Sequence, residues 1–174
     1  MTFSIDQAFE ILGRTPGVYE SLLSGLSDEW TRNNEGPETW SPYNIVAHLI
    51  AGEKTDWIPR AKIILSDSEN KTFEPFDMEA HFKTDQSIPI EDLLAEFKSL
   101  RKECLEELKA MQIDEKKMAE TGIHPELGEA NLKELLSTWV VHDLGHIAQV
   151  SRVMAKQYKT EVGPWSKFLG ILKR

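Results

Sequence analysis

The stretch Trp139-Val-Val-His-Asp-Leu-Gly-His-Ile-Ala-Gln149 decides how this chain folds. It lies inside a longer run in which Leu132, Leu135, Trp139, His142, His146, Val150 and Val153 recur at steps of three and four. That is the period of an α-helix turning one apolar stripe toward a bundle core. His142 and His146 are four residues apart, so on a helix their imidazoles leave the same face one turn apart. Two imidazoles so placed can share a metal ion. Both occupy inward positions, where ring nitrogens must find partners. A metal ion supplies them and so do ordinary hydrogen bonds, and the pair by itself leaves both open.

Working outward, Asn131 and Glu134 read as the two halves of a capping box, which starts this helix and lets it run to about Lys156. Ahead of it, Gln112–Ala130 is a connection carrying Gly122-Ile-His-Pro-Glu-Leu-Gly128. His124 either reaches a site or only starts the turn before Pro125. A third helix is expected over about Ile90–Met111, its seam formed by Ile90, Leu93, Leu94, Phe97, Leu100, Cys104, Leu108 and Met111. Glu91, Asp92, Glu96, Lys98, Arg101, Lys102, Glu103 and Glu107 mix signs opposite and read as a solvated face. Cys104 on the seam reads as a small core hydrophobe rather than a nucleophile.

The second helix opens at Trp40-Ser-Pro-Tyr-Asn44, with Ser41 as N-cap and Pro42 in the first turn, where its missing N–H costs nothing. Ile45, His48, Leu49 and Gly52 then share a face, so a third histidine stands on an inward stripe with glycine leaving space beside it. Pro59 should kink this helix before Leu65. The first helix is expected from about Asp6 to Ser24, kinked or split at Pro16, with Ser4 or Asp6 as cap. From Ser66 to about Pro89 no period survives. Phe73, Phe76, Met78, His81 and Phe82 lie there among charges, as in a crossover strap or a site wall, and His81 reads as a loop or solvent residue. The tail, with Gly163-Pro164-Trp165, Phe168, Leu169, Ile171 and Leu172, suits a short helix docked on the bundle or on another subunit.

Four long amphipathic helices without a strand signal predict an all-α four-helix bundle, one domain over residues 1–174, with a long connection between helices 2 and 3 and a short helical tail. Bundles build sites between facing helices, where His48, His142 and His146 would converge. Three imidazoles with no fourth protein ligand would leave a tetrahedral zinc one open position. Asp143 follows His142 but points away from it and is not cast as a base. Glu53 differs from His48 by about 140° around the helix and suits an inter-helix or supporting partner. Gln149 can orient a ligand or fill the seam, and Trp139 reads as core rather than a stacking platform.

With 174 residues, 40% of them hydrophobic, a net charge of −9 and a pI near 5.1, the chain has a globular composition that repels phosphate backbones and anionic membranes. Nucleic acid and membrane are therefore not expected partners. No apolar run approaches the roughly 20 residues of a span, no signal-peptide pattern opens the chain, and the single cysteine fits a reducing cytoplasm.

Taken together, Trp40-Ser-Pro-Tyr-Asn-Ile-Val-Ala-His48-Leu, His124-Pro-Glu-Leu-Gly128 and His142-Asp-Leu-Gly-His146-Ile-Ala-Gln149 resemble the DinB-like superfamily. Pro16 after Gly13-Arg14-Thr15 and the closing Gly163-Pro164-Trp165 match it too. The resemblance implies a four-helix bundle, often a homodimer, holding zinc or nickel on one histidine of the second helix and two of the fourth. Those ligands map to His48, His142 and His146. It further implies an S-transferase or isomerase using a low-molecular-weight thiol such as bacillithiol or mycothiol, or a metal-dependent hydrolase. A metal with an open position lowers the pKa of a thiol or water. Hydrolysis usually wants a carboxylate base that thiol transfer to a small electrophile does not need, so the lack of an obvious one favours transfer. A non-catalytic dimeric bundle with a structural or incidental metal is the alternative.

Overall fold

The computed structural model describes Thr2–Lys173, except for the His81 side chain, so the reading of His81 as a solvent or loop residue lies outside the described residues. The four legs of a helical bundle are present, two of them broken at prolines. The first comprises α1 (Ile5–Leu12) and α2 (Thr15–Leu23). Pro16 has no N–H to give the Leu12 carbonyl four residues back, so the helix parts there and restarts with Pro16 in its first turn. Ser4 occupies the N-cap position without a side-chain capping bond. After the short α3 (Asp28–Arg32) comes the second leg, α4 (Pro42–Thr55) and α5 (Trp57–Ile64). The break falls at Asp56 (φ −112°, ψ −72°), three residues ahead of Pro59. A proline ring clashes with the carbonyl of residue i−4, here Thr55, so the distortion belongs to the turn before it.

The third and fourth legs are unbroken: α6 (Ile90–Ala110) and α8 (Leu132–Gln157), with the short α7 (Glu115–Met118) between them. Ser41 with Asn44 and Asn131 with Glu134 form complete capping boxes on α4 and α8. The first leg packs mainly on α6 and α8, and the second packs mainly on α6 and α8 as well. Consecutive legs one and two therefore stand diagonally across the bundle. This diagonal placement sets α4–α5 beside α8, the neighbours a site shared by His48 and the α8 histidines requires.

The core has two apolar halves. One gathers Tyr19, Leu23, Tyr43, Ile45, Phe97, Val150 and Val153; the other gathers Leu12, Trp57, Ile64, Cys104, Leu108, Leu136 and Trp139. Cys104 is buried, as expected of a core hydrophobe.

Two features depart from the expected pattern. A small antiparallel sheet, β1 (Thr121–His124) with β2 (Gly128–Asn131), occupies the connection before α8. Its strands are four residues long and too polar to show alternation, and the chain returns through Pro125–Leu127 to Gly128 at φ 82°, backbone that glycine adopts freely. The other departure is Arg101, which is buried rather than on the solvated face of α6. Part of the aperiodic strap joins the sheet: the Phe73 amide donates to Ile123 O and the Ile123 amide to Lys71 O, each at 2.9 Å. Further along, the hydroxyl of the buried Tyr43 shares its single proton between the carbonyls of Asp85 and Ile88, at 2.9 and 3.1 Å. The tail forms two 3-10 turns, Gly163–Lys167 and Gly170–Lys173, of which the second packs on α8 through Leu172. Among the described residues no helix is long and apolar enough to cross a membrane.

Candidate metal centre

His48 leaves α4 at its middle, and His142 and His146 leave adjacent turns of α8. The Nε2 atom of His142 lies 3.1 Å from Nε2 of His48 and 3.1 Å from Nε2 of His146. One ligand atom from each of the three imidazoles falls within 4.8 Å of the others. A tetrahedral ion with bonds of 2.0–2.1 Å sets its ligand nitrogens about 3.3 Å apart, so the cluster could hold one with little adjustment. His48 is buried, whereas His142 and His146 are half-buried, at the edge of the seam rather than on its centre. The seam's centre at that level is Asp143.

Three imidazoles brought together disfavour charge on one another. Burial, with His146 and His48 adding to it, pushes the His142 imidazole down to about 3, and burial also lowers His146. Neutral imidazole is the form that binds a metal. His146 Nδ1 lies 2.7 Å from Gln149 Oε1, an acceptor only, so Nδ1 carries the proton and Nε2 presents its lone pair. Gln149 thus contacts His146 from one turn further along α8. The buried Nδ1 of His142 has no hydrogen-bond partner among the described residues.

Aromatic rings fix the imidazoles in place. Trp40 lies over His48 (centroids 4.8 Å) and stacks on His146 (6.0 Å, 9°), while Phe76 of the strap meets His48 edge-on at 5.3 Å. Trp57 meets His142 at 5.1 Å and stacks on Trp139 (5.6 Å, 8°). Trp139 is fully buried and acts as packing behind the site. The space expected beside Gly52 is taken by the Trp57 indole, whose Nε1 would lie 3.1 Å from an added Cβ. Glu35 anchors the loop before Trp40 through Arg152 and Lys156, both at 2.6 Å.

The carboxylates nearest the histidines along the chain are both committed elsewhere. Glu53 receives Arg101 at 2.7 and 2.9 Å, and Asp143 receives it at 2.5 and 3.1 Å. Arg101 also donates to Leu12 O at 3.0 Å, the carbonyl that Pro16 leaves without a helical donor. Glu53 is accordingly an inter-helix partner, and Asp143 faces away from the imidazoles. The sequence signal for this network was available: Arg101 sits between Phe97 and Cys104 at seam spacing.

The imidazoles open onto a cavity of about 410 Å³ between α4–α5 and α8, walled by Trp40, Trp57, Phe76, Met78 and the hairpin residues His124 and Leu127. His124 both reaches this cavity and organises its turn, accepting at Nδ1 from the amides of Glu126 and Leu127 at 3.1 and 3.2 Å. The strap is likewise both cover and wall: Phe73 is buried in the core while Phe76 and Met78 face the cavity.

The DinB superfamily model matches residues 11–150. Among solved structures, YfiT from Bacillus subtilis superposes with a TM-score of 0.73 at 16% identity, covering 93% of this chain and 91% of that one. That protein is described as a probable metal-dependent hydrolase with an unusual four-helix bundle topology. No curated protein matches the chain. With its helical bundle and a family match over most of its length, the chain belongs to the DinB superfamily.

Proposed function

We propose that the protein holds one divalent metal ion, zinc or nickel, on His48, His142 and His146, and uses it to transfer a low-molecular-weight thiol to a small electrophile. The observation that carries this reading is the convergence of three imidazoles on one wall of an aromatic cavity. Such an ion, when bound, supplies Lewis acidity that makes a thiol or water nucleophilic near neutral pH. The chain's own residues do the rest: Gln149 sets the His146 tautomer, Trp40 and Trp57 fix ring orientation, and Phe76 and Met78 limit the water that reaches the cavity.

Transfer is preferred to hydrolysis because the Arg101 fork occupies Glu53 and Asp143, the carboxylates nearest the histidines along the chain, while Asp56 on the cavity wall lies beside Arg60 about two helical turns from His48. The reading includes a homodimer in the cytoplasm. Exposed Val141 and Leu144 on α8, and Phe168 and Ile171 on the tail, support a partner subunit.

The test is elemental analysis of untagged protein beside His142→Ala, with helical content followed by circular dichroism, and then assay of a defined thiol against a chromogenic electrophile. One equivalent of metal in the wild type, lost in the variant with helicity retained, and turnover abolished by chelation, is the expected result. Protein that neither contains nor takes up divalent ions refutes the site. Bound metal with no turnover of any thiol, against ester or amide hydrolysis that chelation stops, replaces transfer by hydrolysis; bound metal with neither activity leaves a non-catalytic bundle.

A further inference from the structure

Two to three helical turns beyond His48, about 12–18 Å of axial rise, the cavity wall carries a pair of opposite charges. Asp56 and Arg60 are each 8% exposed and both face the cavity that the histidines open onto. Arg60 Nε lies 2.6 Å from Asp56 Oδ1, yet the N–H does not point along that line, and neither atom has a hydrogen-bond partner among the described residues. The guanidinium is held at 5.3 Å from the Phe73 ring centroid. Those two atoms are enclosed against each other, whereas the pair's remaining polar atoms, Asp56 Oδ2 and the Arg60 Nη groups, make no hydrogen bond among the described residues. Buried polar groups are normally satisfied, and on residues that line the cavity this unspent capacity is what a ligand would take up. Beside them stands His124, whose Nδ1 accepts from two backbone amides, which places its proton on Nε2.

We propose that this end of the cavity binds the α-amino-acid headgroup of a substrate, its carboxylate on Arg60 and its ammonium on Asp56. The proposal rests on the reading of the three histidines as the reacting end and names the class of molecule they act on. A lone anion brought to Arg60 meets Asp56, and a lone cation brought to Asp56 meets Arg60. A zwitterion matches both charges and leaves the buried pair neutral in sum. The planar guanidinium suits a carboxylate bidentately. Between headgroup and histidines the wall is Trp57 and Gly52, which suits an uncharged linker.

Isothermal titration of the full chain, with and without one equivalent of zinc, tests this with L-norleucine, hexanoate, n-pentylamine and hexanamide. Norleucine should bind more tightly than each of the other three by about tenfold or more, the scale of one charge-assisted hydrogen bond, whether or not zinc is present. Arg60→Met should weaken norleucine and hexanoate without weakening pentylamine. Asp56→Asn should weaken norleucine and pentylamine without weakening hexanoate. A norleucine advantage below that margin in the wild type overturns the proposal without reference to any variant, as does hexanamide binding equally well. Headgroup selectivity in a protein that transfers no thiol keeps the subsite and rejects the transferase reading. Thiol transfer without headgroup selectivity rejects the subsite alone.

Discussion

Replacing Arg101 by methionine should destabilise the protein far more than a surface exchange on α6 would. The guanidinium is 1% exposed and makes four bonds to two carboxylates that are themselves buried, plus one to the Leu12 carbonyl. Methionine fills much of the volume but leaves Glu53 and Asp143 facing one another without a cation. Breaking a buried ion pair by removing one partner costs about 3–5 kcal/mol. In a chain of this length each kcal/mol moves Tm by about 2–4 °C, so a fall of roughly 12 °C is expected by circular dichroism. Burial already pushes the Glu53 carboxyl up, with Arg101 opposing it. Without Arg101 the folded-state pKa of the buried carboxylate rises further above its unfolded value. The folded variant then binds more protons than the unfolded chain, and its stability falls as pH rises. The gap to wild type should therefore be smaller at pH 5 than at pH 8. Adding Glu53→Gln and Asp143→Asn to Arg101→Met should recover most of the loss. A Tm change of only about 2 °C, or a gap that widens toward acid, would refute the account of Arg101 as a buried brace.

Other outcomes follow from single contacts. The depressed imidazoles run the opposite way in pH: His142 is held near 3 against an unfolded value of about 6.5, so metal-free protein should lose stability as pH falls from about 6.5 toward 3. Chemical denaturation between pH 7 and pH 5 reads this above the main carboxylate range, and His142→Asn should flatten the slope. Gln149→Leu should leave the fold intact and weaken metal binding about 10–100-fold by freeing the His146 tautomer, as measured by competition with a chromogenic chelator. Gly122→Ala would set a Cβ 2.4 Å from Phe73 Cε1 and 3.0 Å from Ile64 Cγ1. The hairpin must shift away from the core, at a cost of about 1–3 kcal/mol, with faster hydrogen exchange at the Ile123 and Phe73 amides.

Much of the bundle was legible because helix periodicity and caps are local. Ser41 with Pro42, Asn131 with Glu134 and the two interrupting prolines each act within a turn or two. The histidine cluster was legible in outline, since two imidazoles share a face and the third lies on another inward stripe. What escaped depends on tertiary context. Arg101 has seam spacing but the residue type of a solvated face, and only Glu53 and Asp143 arriving from α4 and α8 make its burial tolerable. The hairpin is too short and polar for alternation, and its docking depends on the Gly122–Phe73 approach. The Asp56–Arg60 pair resembles an ordinary surface pair four residues apart until α8 and the hairpin close around it.

The interrupting prolines do more than bend helices. Pro16 leaves the Leu12 carbonyl without an intrahelical donor at the level where the two apolar halves of the core meet. A buried carbonyl there requires a donor from another leg, and Arg101 supplies it. A buried guanidinium in turn requires anions, which Glu53 provides from the helix bearing His48 and Asp143 from the helix bearing His142 and His146. The same cation therefore ties together the two helices whose spacing sets the distances among the imidazoles. It also holds Glu53 and Asp143 away from the imidazoles, so the charges that brace the two helices are spent on one another rather than on the metal site. On this account Arg101→Met should broaden the metal-binding site as well as lower Tm. Weakened metal affinity at temperatures where the variant remains fully helical would separate that positioning effect from loss of fold.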